Sequence, residues 1–400
     1  MSSVVFSITI VALSLAAGQF GSRLIRIYLT SVRTKLALGL FTMTIAYCLL
    51  GLCYVEQDMS PAQVPQVAVT LAAALAMSCV FALLLFLHFV ARSMIADEVI
   101  RRSASELEKS IEAMPPFEPG AVEPEPAEVL PADFDTLSVI VTAREEGYVE
   151  AVDYERMVEI ATRHGLVVHL HFAAGLYMCK GGWLAAVYPG SSLTSQVDAA
   201  LQEAVTIGDA RTPTQDLEFS IRHLVDIALR ALSPGVNDAN TALVVVDHLR
   251  GALSQLMGKA LPSAIHRDAA GVVRVVGRFS SYGDVLDAAL HQIRQAAARH
   301  PAVIINLLGA LARIAEHTRE SDQVQALRDH AALIAAAGLR GLEEARDRED
   351  ISRALDATQA HLDSAARGSA KVFGGGASDQ RAAARRSQRP ARPVSSGASL

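Results

Sequence analysis

Between residues 211 and 238 the chain concentrates polar side chains whose spacing could do chemistry. Arg222, Asp226 and Arg230 recur every four residues, so a helix would stack them as one charged row of alternating sign. Ser233-Pro234-Gly235 breaks that helix, and Asn237 and Asp238 open the next one. Helix N-termini attract anions, and arginines clamp phosphates or carboxylates. Arg211, Arg222, Asp226, Arg230, Ser233, Asn237 and Asp238 are therefore the candidate site for a small anionic ligand. The same residues also fit an ion network at a helix or subunit interface, with Asn237 as a simple cap.

Two other patterns bear on chemistry. His169 and His171 share a strand face, but spacing supplies no third metal ligand, although His164 is near in sequence. Lys180 directly precedes Gly181-Gly182, as a turn lysine does; a lipoyl or biotinyl carrier lysine would sit at the central hairpin of its module. The chain has no GxSxG, no HExxH, no P-loop and no Gly-rich dinucleotide turn. Carboxylates such as Asp216, Glu218 and Asp238 could do acid–base work, as in any soluble domain. The expectation is a protein that is not an enzyme and holds no metal or cofactor.

The elements that must position these residues form two kinds of structure. Of 400 residues, 51% are hydrophobic and 20% charged, with a net charge of −6. Mean hydropathy is +0.28. Such a chain is too apolar for an ordinary soluble protein and not basic enough for a dedicated nucleic-acid binder. Apolar runs cover about Val4–Gly18, Leu36–Val55 and Val64–Val90. A spanning helix needs about 20 residues, which the second and third supply and the first reaches only with its mixed continuation. Arg23, Arg26, Arg33 and Lys35 lie between the first two runs, Glu56 and Asp58 between the next two, and Arg92, Arg101 and Arg102 after the third. Positive loops stay inside. The reading is a multi-pass protein of the cytoplasmic (inner) membrane, N-terminus outside, with everything after Arg92 in the cytoplasm. The second and third runs hold no Asp, Glu, Lys or Arg, which argues against a self-contained ion relay. Ala68, Ala72, Ala73 and Ala76 offer a close-packing face on the third helix, and Thr42 and Thr44 are the polar residues to test in any pore.

The expected architecture is an α-helical membrane region of about three transmembrane helices plus a cytosolic α+β part. That part joins a small barrel-sandwich-like β module to a helical bundle. The divisions are 1–111, membrane region with a cytosolic helix extension; 112–135, a Pro/Glu linker; 136–192, the β module; 193–366, the helical domain; and 367–400, a basic tail without a fixed fold. Within the module, Asp153 caps a helix ending at His164-Gly165, and strands cover Leu166–Phe172 and Trp183–Tyr188. Ser195–Ile207 reads as one helix, Thr212-Pro213-Thr214-Gln215 as the capping box of the next, and Val272–Val276 as a short strand. Four helical stretches follow: 282–299, 302–317, 322–339 and 342–366.

The stretch from Arg211 through Gln215-Asp216 to Arg222, continuing into Asp226, Arg230 and Ser233-Pro-Gly-Val-Asn-Asp238, resembles the signature of a bacterial family of predicted membrane proteins, "domain of unknown function 2254". Gln19-Phe20-Gly21-Ser22-Arg23, Gly147-Tyr148-Val149 and the segment Gly175–Leu184 fit the same family, over roughly residues 5–340. The Pro/Glu linker departs from that pattern as an insertion. Family members carry a further N-terminal membrane helix, so this chain is expected to start within or just before their second. The resemblance implies a membrane location and no activity. Two functions stay open. One is an oligomeric channel or transport-related protein with a regulatory cytosolic domain. The other is a membrane-anchored sensor or scaffold that binds a small anion or a protein partner. Expected partners are the bilayer, further copies of the chain and, through the basic tail, anionic lipid, but not nucleic acid.

Overall fold

The computed structural model describes residues 32–54, 66–93, 96–118, 128–278 and 280–372. The first apolar run, the Gln19–Arg23 motif and most of the basic tail lie outside them. The described chain is mixed helix and sheet and divides into two compact units, residues 1–103 with 230–244, and residues 104–229 with 245–400.

In the first unit, α1 (Val32–Tyr54) and α2 (Gln66–Ser93) form a hairpin. Gln66–Leu85 is the one helical stretch, among the described residues, long and apolar enough to cross a membrane; Gly39–Cys53 in α1 is a shorter apolar stretch. The seam is built from Phe41, Thr44 and Cys79, with Leu40 and Leu83 against them. Thr44 Oγ1 donates to the Leu40 carbonyl and accepts from Cys79 Sγ at 3.2 Å, and Tyr47 Oη donates to the Ala68 carbonyl. Ala68 and Ala72 are half-buried on this seam, whereas Ala73 and Ala76 point outward. The small-residue face therefore divides: 68 and 72 recur with 75 and 79, while 73 lies more than a quarter turn away and 76 at the outer edge of that face. Leu49, Leu50, Leu52, Met77, Phe81 and Leu84 are exposed. Of the outward hydroxyls, Thr70 and Ser78 donate to their own helix four residues back.

The rest of the chain is α3 (Ala96–Glu112), the one-turn α4 (Phe134–Leu137), β1 (Val139–Thr142), β2 (Gly147–Val152), α5 (Tyr154–His164), β3 (Val167–Leu170), β4 (Tyr177–Met178), β5 (Trp183–Tyr188), α6 (Ser195–Glu203), β6 (Val205–Gly208), α7 (Leu217–Ala231), α8 (Ala239–Leu256), β7 (Ile265–Arg267), β8 (Val273–Val276), α9 (Tyr282–Ala296), α10 (Pro301–Ala315), α11 (Ser321–Gly341) and α12 (Ala345–Val372). Local chemistry explains most boundaries. Asp153 caps α5 by accepting from Arg156 N, and Gly165 ends it in the left-handed conformation. Met157, Ile160 and Ala161 give α5 its buried stripe. In β3, Val168 and Leu170 face the core and His169 faces away.

The strands form two sheets, β1-β5-β3-β8-β7 and β4-β2-β6. Among the described strands only β3 and β8 run parallel. Parallel neighbours require a long crossover, and here it carries α7 and α8. The expected β module at 136–192 thus does not close on itself: β6, β7 and β8 all come from beyond residue 192. The helix expected at 195–207 stops at Glu203, because the β-branched Val205-Thr206-Ile207 pairs with β2. The strand β7 went unread; an Asp268–Gly271 turn folds it onto β8, with Asp268 Oδ1 accepting from Ala270 N and Val272 N.

The 112–135 linker is anchored at both ends. Pro116 bridges to Lys259, whose Nζ donates to the Glu112 and Met114 carbonyls that end α3. At the other end Phe134 is buried, stacked on Tyr188 and edge-on to His169. Helices α10, α11 and α12 pack on one another, with α9 against α11. Buried Gln323 starts α11, accepting from the amides of Arg319 and Glu320 and donating to the Met257 carbonyl. Helix α12 runs on to Val372, past the expected boundary at 366.

At Gly341 a Cβ would overlap the Ala298 carbonyl oxygen, a backbone atom with no rotamer to escape into. Gly→Ala ordinarily favours a helix by about 0.5–1 kcal/mol, whereas forced overlap costs roughly 1–3 kcal/mol. The overlap wins, so Gly341→Ala lowers the unfolding midpoint, measurable by intrinsic fluorescence of the detergent-purified protein.

Candidate ligand or interface site

The polar residues expected to form one site divide among three local roles. The loop before α7 is a clamp on β2. Gln215 reads one residue of that strand like a neighbouring strand would: its Oε1 accepts from Val152 N at 2.9 Å and its Nε2 donates to Val152 O at 3.0 Å. Pairing with β6 skips a residue at Glu150, and Thr212 Oγ1 donates to the Glu150 carbonyl. Asp216 is buried and caps α7, accepting from Phe219 N through Oδ1. Its Oδ2 takes two bonds from Arg211, Nε at 2.8 Å and Nη2 at 2.5 Å. The Arg211 guanidinium also lies over the Phe219 ring, 5.7 Å from its centroid. The helix thus begins at Leu217 with Asp216 as cap, and the expected Thr212–Gln215 capping box is corrected. Thr212 and Gln215 bond to the strand instead, because β2 offers them unpaired backbone groups at closer reach.

Gly175 completes the clamp. It has φ +87°, its N–H donates to the Val149 carbonyl, and a Cβ would overlap the Asp216 carboxylate and the Arg211 guanidinium. Only glycine admits both the left-handed backbone and the charged pair.

Arg222, with its side chain 45% exposed, pairs with Glu218 one turn before it, and Glu218 also accepts from Ser280 Oγ. Asp226 is exposed and Arg230 half-buried, and both are engaged with other groups.

The turn after α7 is closed by its own bonds. Ser233 Oγ donates to the Arg230 carbonyl, Val236 N and Asn237 N donate to the Ser233 carbonyl, and Asp238 N donates to the Ala231 carbonyl. Asn237 takes φ 49°, a left-handed conformation that Asn tolerates. The cap of α8 is Asp238 rather than Asn237: Oδ1 accepts from Thr241 N and Oδ2 from Thr241 Oγ1. Those bonds hold the Asp238 carboxyl below the usual carboxylate range. A built-in carboxylate thus occupies the helix N-terminus that was a candidate anion site.

His169 and His171 do share a face, with ring centroids 5.1 Å apart, in a row of rings running from Tyr188 and Phe134 to Trp183. Burial lowers both pKa values most; Arg278 lowers both further, and His171 lowers that of His169. Among the described residues no three His, Cys, Asp or Glu side chains are grouped to hold a metal. Lys180 is exposed at the tip of the Cys179–Gly182 turn, where Gly182 N donates to the Cys179 carbonyl. Sequence reasoning missed a polar cluster of Asp287, His291, Arg294 and His330, whose signal was a row at i, i+4 and i+7 on α9.

Two outcomes follow. Asp216→Ala removes the cap of α7, about 0.5–2 kcal/mol, and leaves Arg211 unpaired, so its midpoint falls further than that of Asp216→Asn, which keeps the capping acceptor. Thermal unfolding of the two variants checks the order. The histidine pair binds protons less readily folded than unfolded, so its contribution is present above the ordinary imidazole range and is lost as pH falls through it. His169→Gln/His171→Gln should therefore flatten the stability profile between about pH 7 and pH 5, measured by denaturant unfolding across that window.

The sequence pattern of the family described as "Predicted membrane protein (DUF2254)" matches residues 1–313. An uncharacterized protein of Mycobacterium bovis and one of Mycobacterium tuberculosis are each 33% identical to the chain over 354 residues, covering 86% of it and 67% of their own length. No solved structure matches.

Proposed function

Because the chain belongs to this family of predicted membrane proteins (DUF2254), we propose that it is a multi-pass protein of the cytoplasmic membrane. In this reading three helices span, the N-terminus lies outside, and the soluble part works in the cytoplasm as a binding module, a sensor or scaffold, rather than as a catalyst. The first span of the three is proposed from sequence alone. The observation that carries the reading is the division of polarity on the α1–α2 hairpin. Its seam takes Thr44, Tyr47 and Cys79, while Leu49, Leu50, Leu52, Met77, Phe81 and Leu84 are exposed. Thr70 and Ser78 bond back to their own helix, as hydroxyls facing hydrocarbon must. Such a hairpin suits an anchor. The alternating loop charges orient it, and the basic tail adds attraction to anionic headgroups.

The second reading is an oligomeric channel or transport protein. Outward-facing Ala73 and Ala76 favour it, since small residues let helices of neighbouring copies approach closely. Thr44 is a poor pore residue on this geometry, because it faces Cys79 across the seam.

Topology is tested by cysteine labelling with a membrane-impermeant maleimide, with Cys48, Cys53 and Cys79 replaced by Ala. The exposed Cys179 should react only after the cells are opened, whereas Gln57→Cys should react in intact cells. The reverse pattern would sink the proposed orientation. Light scattering in detergent then separates the functions: a small assembly supports the anchored module, and a ring-sized one that conducts ions in liposomes supports the channel.

A further inference from the structure

Helix α9 carries Asp287, His291 and Arg294, and α11 brings His330 against Asp287. His330 is 4% exposed. Its Nε2 lies 3.2 Å from Asp287 Oδ1, so Nε2 carries the proton and Nδ1 keeps its lone pair. Nδ1 is buried and has no hydrogen-bond partner. The neutral ring thus spends its one N–H on Asp287 and fits the closed seam. A second proton has to enter at Nδ1. It creates a buried N–H with no acceptor, on a ring that now carries charge.

The surroundings add to that cost. The charged and titratable groups acting on His330 are Asp287, His291 and Arg294 from α9 and Asp329 from its own helix. Among the described residues, α10 and α12, which also pack on α11, add none. Burial opposes the charged ring most; Asp287 favours it, and His291 and Arg294 oppose it. The ring therefore binds a proton less readily inside the seam than in water. His291 shares the same carboxylate oxygen: its Nδ1 lies 3.4 Å from Asp287 Oδ1, and the two rings stand edge-to-face, 6.5 Å between centroids. Its side chain is 41% exposed. A proton taken up there draws Asp287 toward His291 and away from His330. Acid at either ring acts in the same direction.

We propose that the seam of α9 and α11 is an acid-sensitive latch, closed while His330 is neutral and held by Asp287, and loosened when the ring takes a second proton. Moving His330 out of the seam gives the new N–H an acceptor in water and gives the charge its solvation. The quantity that changes is the local opening equilibrium of the two helices. Linkage fixes the direction. The open seam binds a proton more readily than the closed one, so the advantage of closure is full above the ordinary imidazole range and is lost as pH falls through it, from about 6.5 downward. The latch rests on the sensor reading and gives that sensor its stimulus, acidification of the compartment that holds α9 and α11.

The test uses the full-length protein in detergent. Hydrogen exchange is read on peptides from α9 and α11 between about pH 7.5 and pH 5, with rates corrected for the intrinsic pH dependence of amide exchange. Wild-type protection in both helices should fall several-fold across that window. His330→Gln keeps an N–H donor for Asp287 and takes up no proton, so its protection should stay level. Arg294→Met removes a charge that opposes protonation of the ring, so its fall should be smaller than that of the wild type. Wild-type protection that stays level overturns the latch. A fall of the wild-type size in His330→Gln also overturns it, as does one in Arg294→Met should the Gln variant not fold. Neither outcome touches the membrane-anchored sensor itself, which the labelling and light-scattering measurements decide.

Discussion

The joining of sheet and helix in the larger unit depends on one buried carboxylate. Asp216 caps α7 with one oxygen and holds Arg211 with the other, and the same loop grips β2 through Thr212 and Gln215. A buried carboxylate without partners would be costly. Here every bond that satisfies it also sets the register between the start of a helix and the edge of a sheet. Gly175 is bound by the same constraint, since any side chain there would displace the charged pair. The most recognisable polar stretch of the chain is therefore committed to architecture before any ligand is considered.

This changes how the charged residues are weighed. Arg211, Asp216 and Asp238 look functional in a list of residues, yet each is met by internal partners. Arg294 and His330 look like ordinary members of Ala/Leu-rich helices, yet Arg294 Nε and His330 Nδ1 are, with His171 Nε2 and His291 Nδ1, among the buried polar atoms that make no hydrogen bond.

The hairpin carries its apolar side chains differently. In water an outward surface of Leu, Met and Phe would be a liability, and in hydrocarbon it is the stable arrangement. Its polar contacts lie where the two helices meet, the Cys79 thiol donating to the Thr44 hydroxyl and the Tyr47 hydroxyl to the Ala68 carbonyl. An outer surface as apolar as the seam differs from the larger unit, whose apolar side chains gather in a core built from Val168, Leu170, Phe172 and their neighbours. One chain thus carries two opposite burial patterns, and only the runs of uncharged residues separate them in sequence.

Local chemistry was legible wherever it was sufficient. The Asp153 cap and Gly165 stop bound α5, alternation marked β3, the Trp183–Tyr188 strand kept its ends, and helical periodicity found the bundle helices. Family membership was also readable there, because it rests on motifs. What the sequence could not hold was any property shared between distant segments. Val205–Gly208 is a strand because β2 lies beside it, β7 because β8 does, and Asp216 rather than Thr212 caps α7 because Gln215 and Thr212 are drawn to a strand some sixty residues earlier. Within the charged row on α7, spacing did not show that Arg222 pairs with Glu218, or that Glu218 also accepts from Ser280. Periodicity says which residues share a face. Which groups on that face find partners is decided by what packs against it, and only the folded chain brings those segments together.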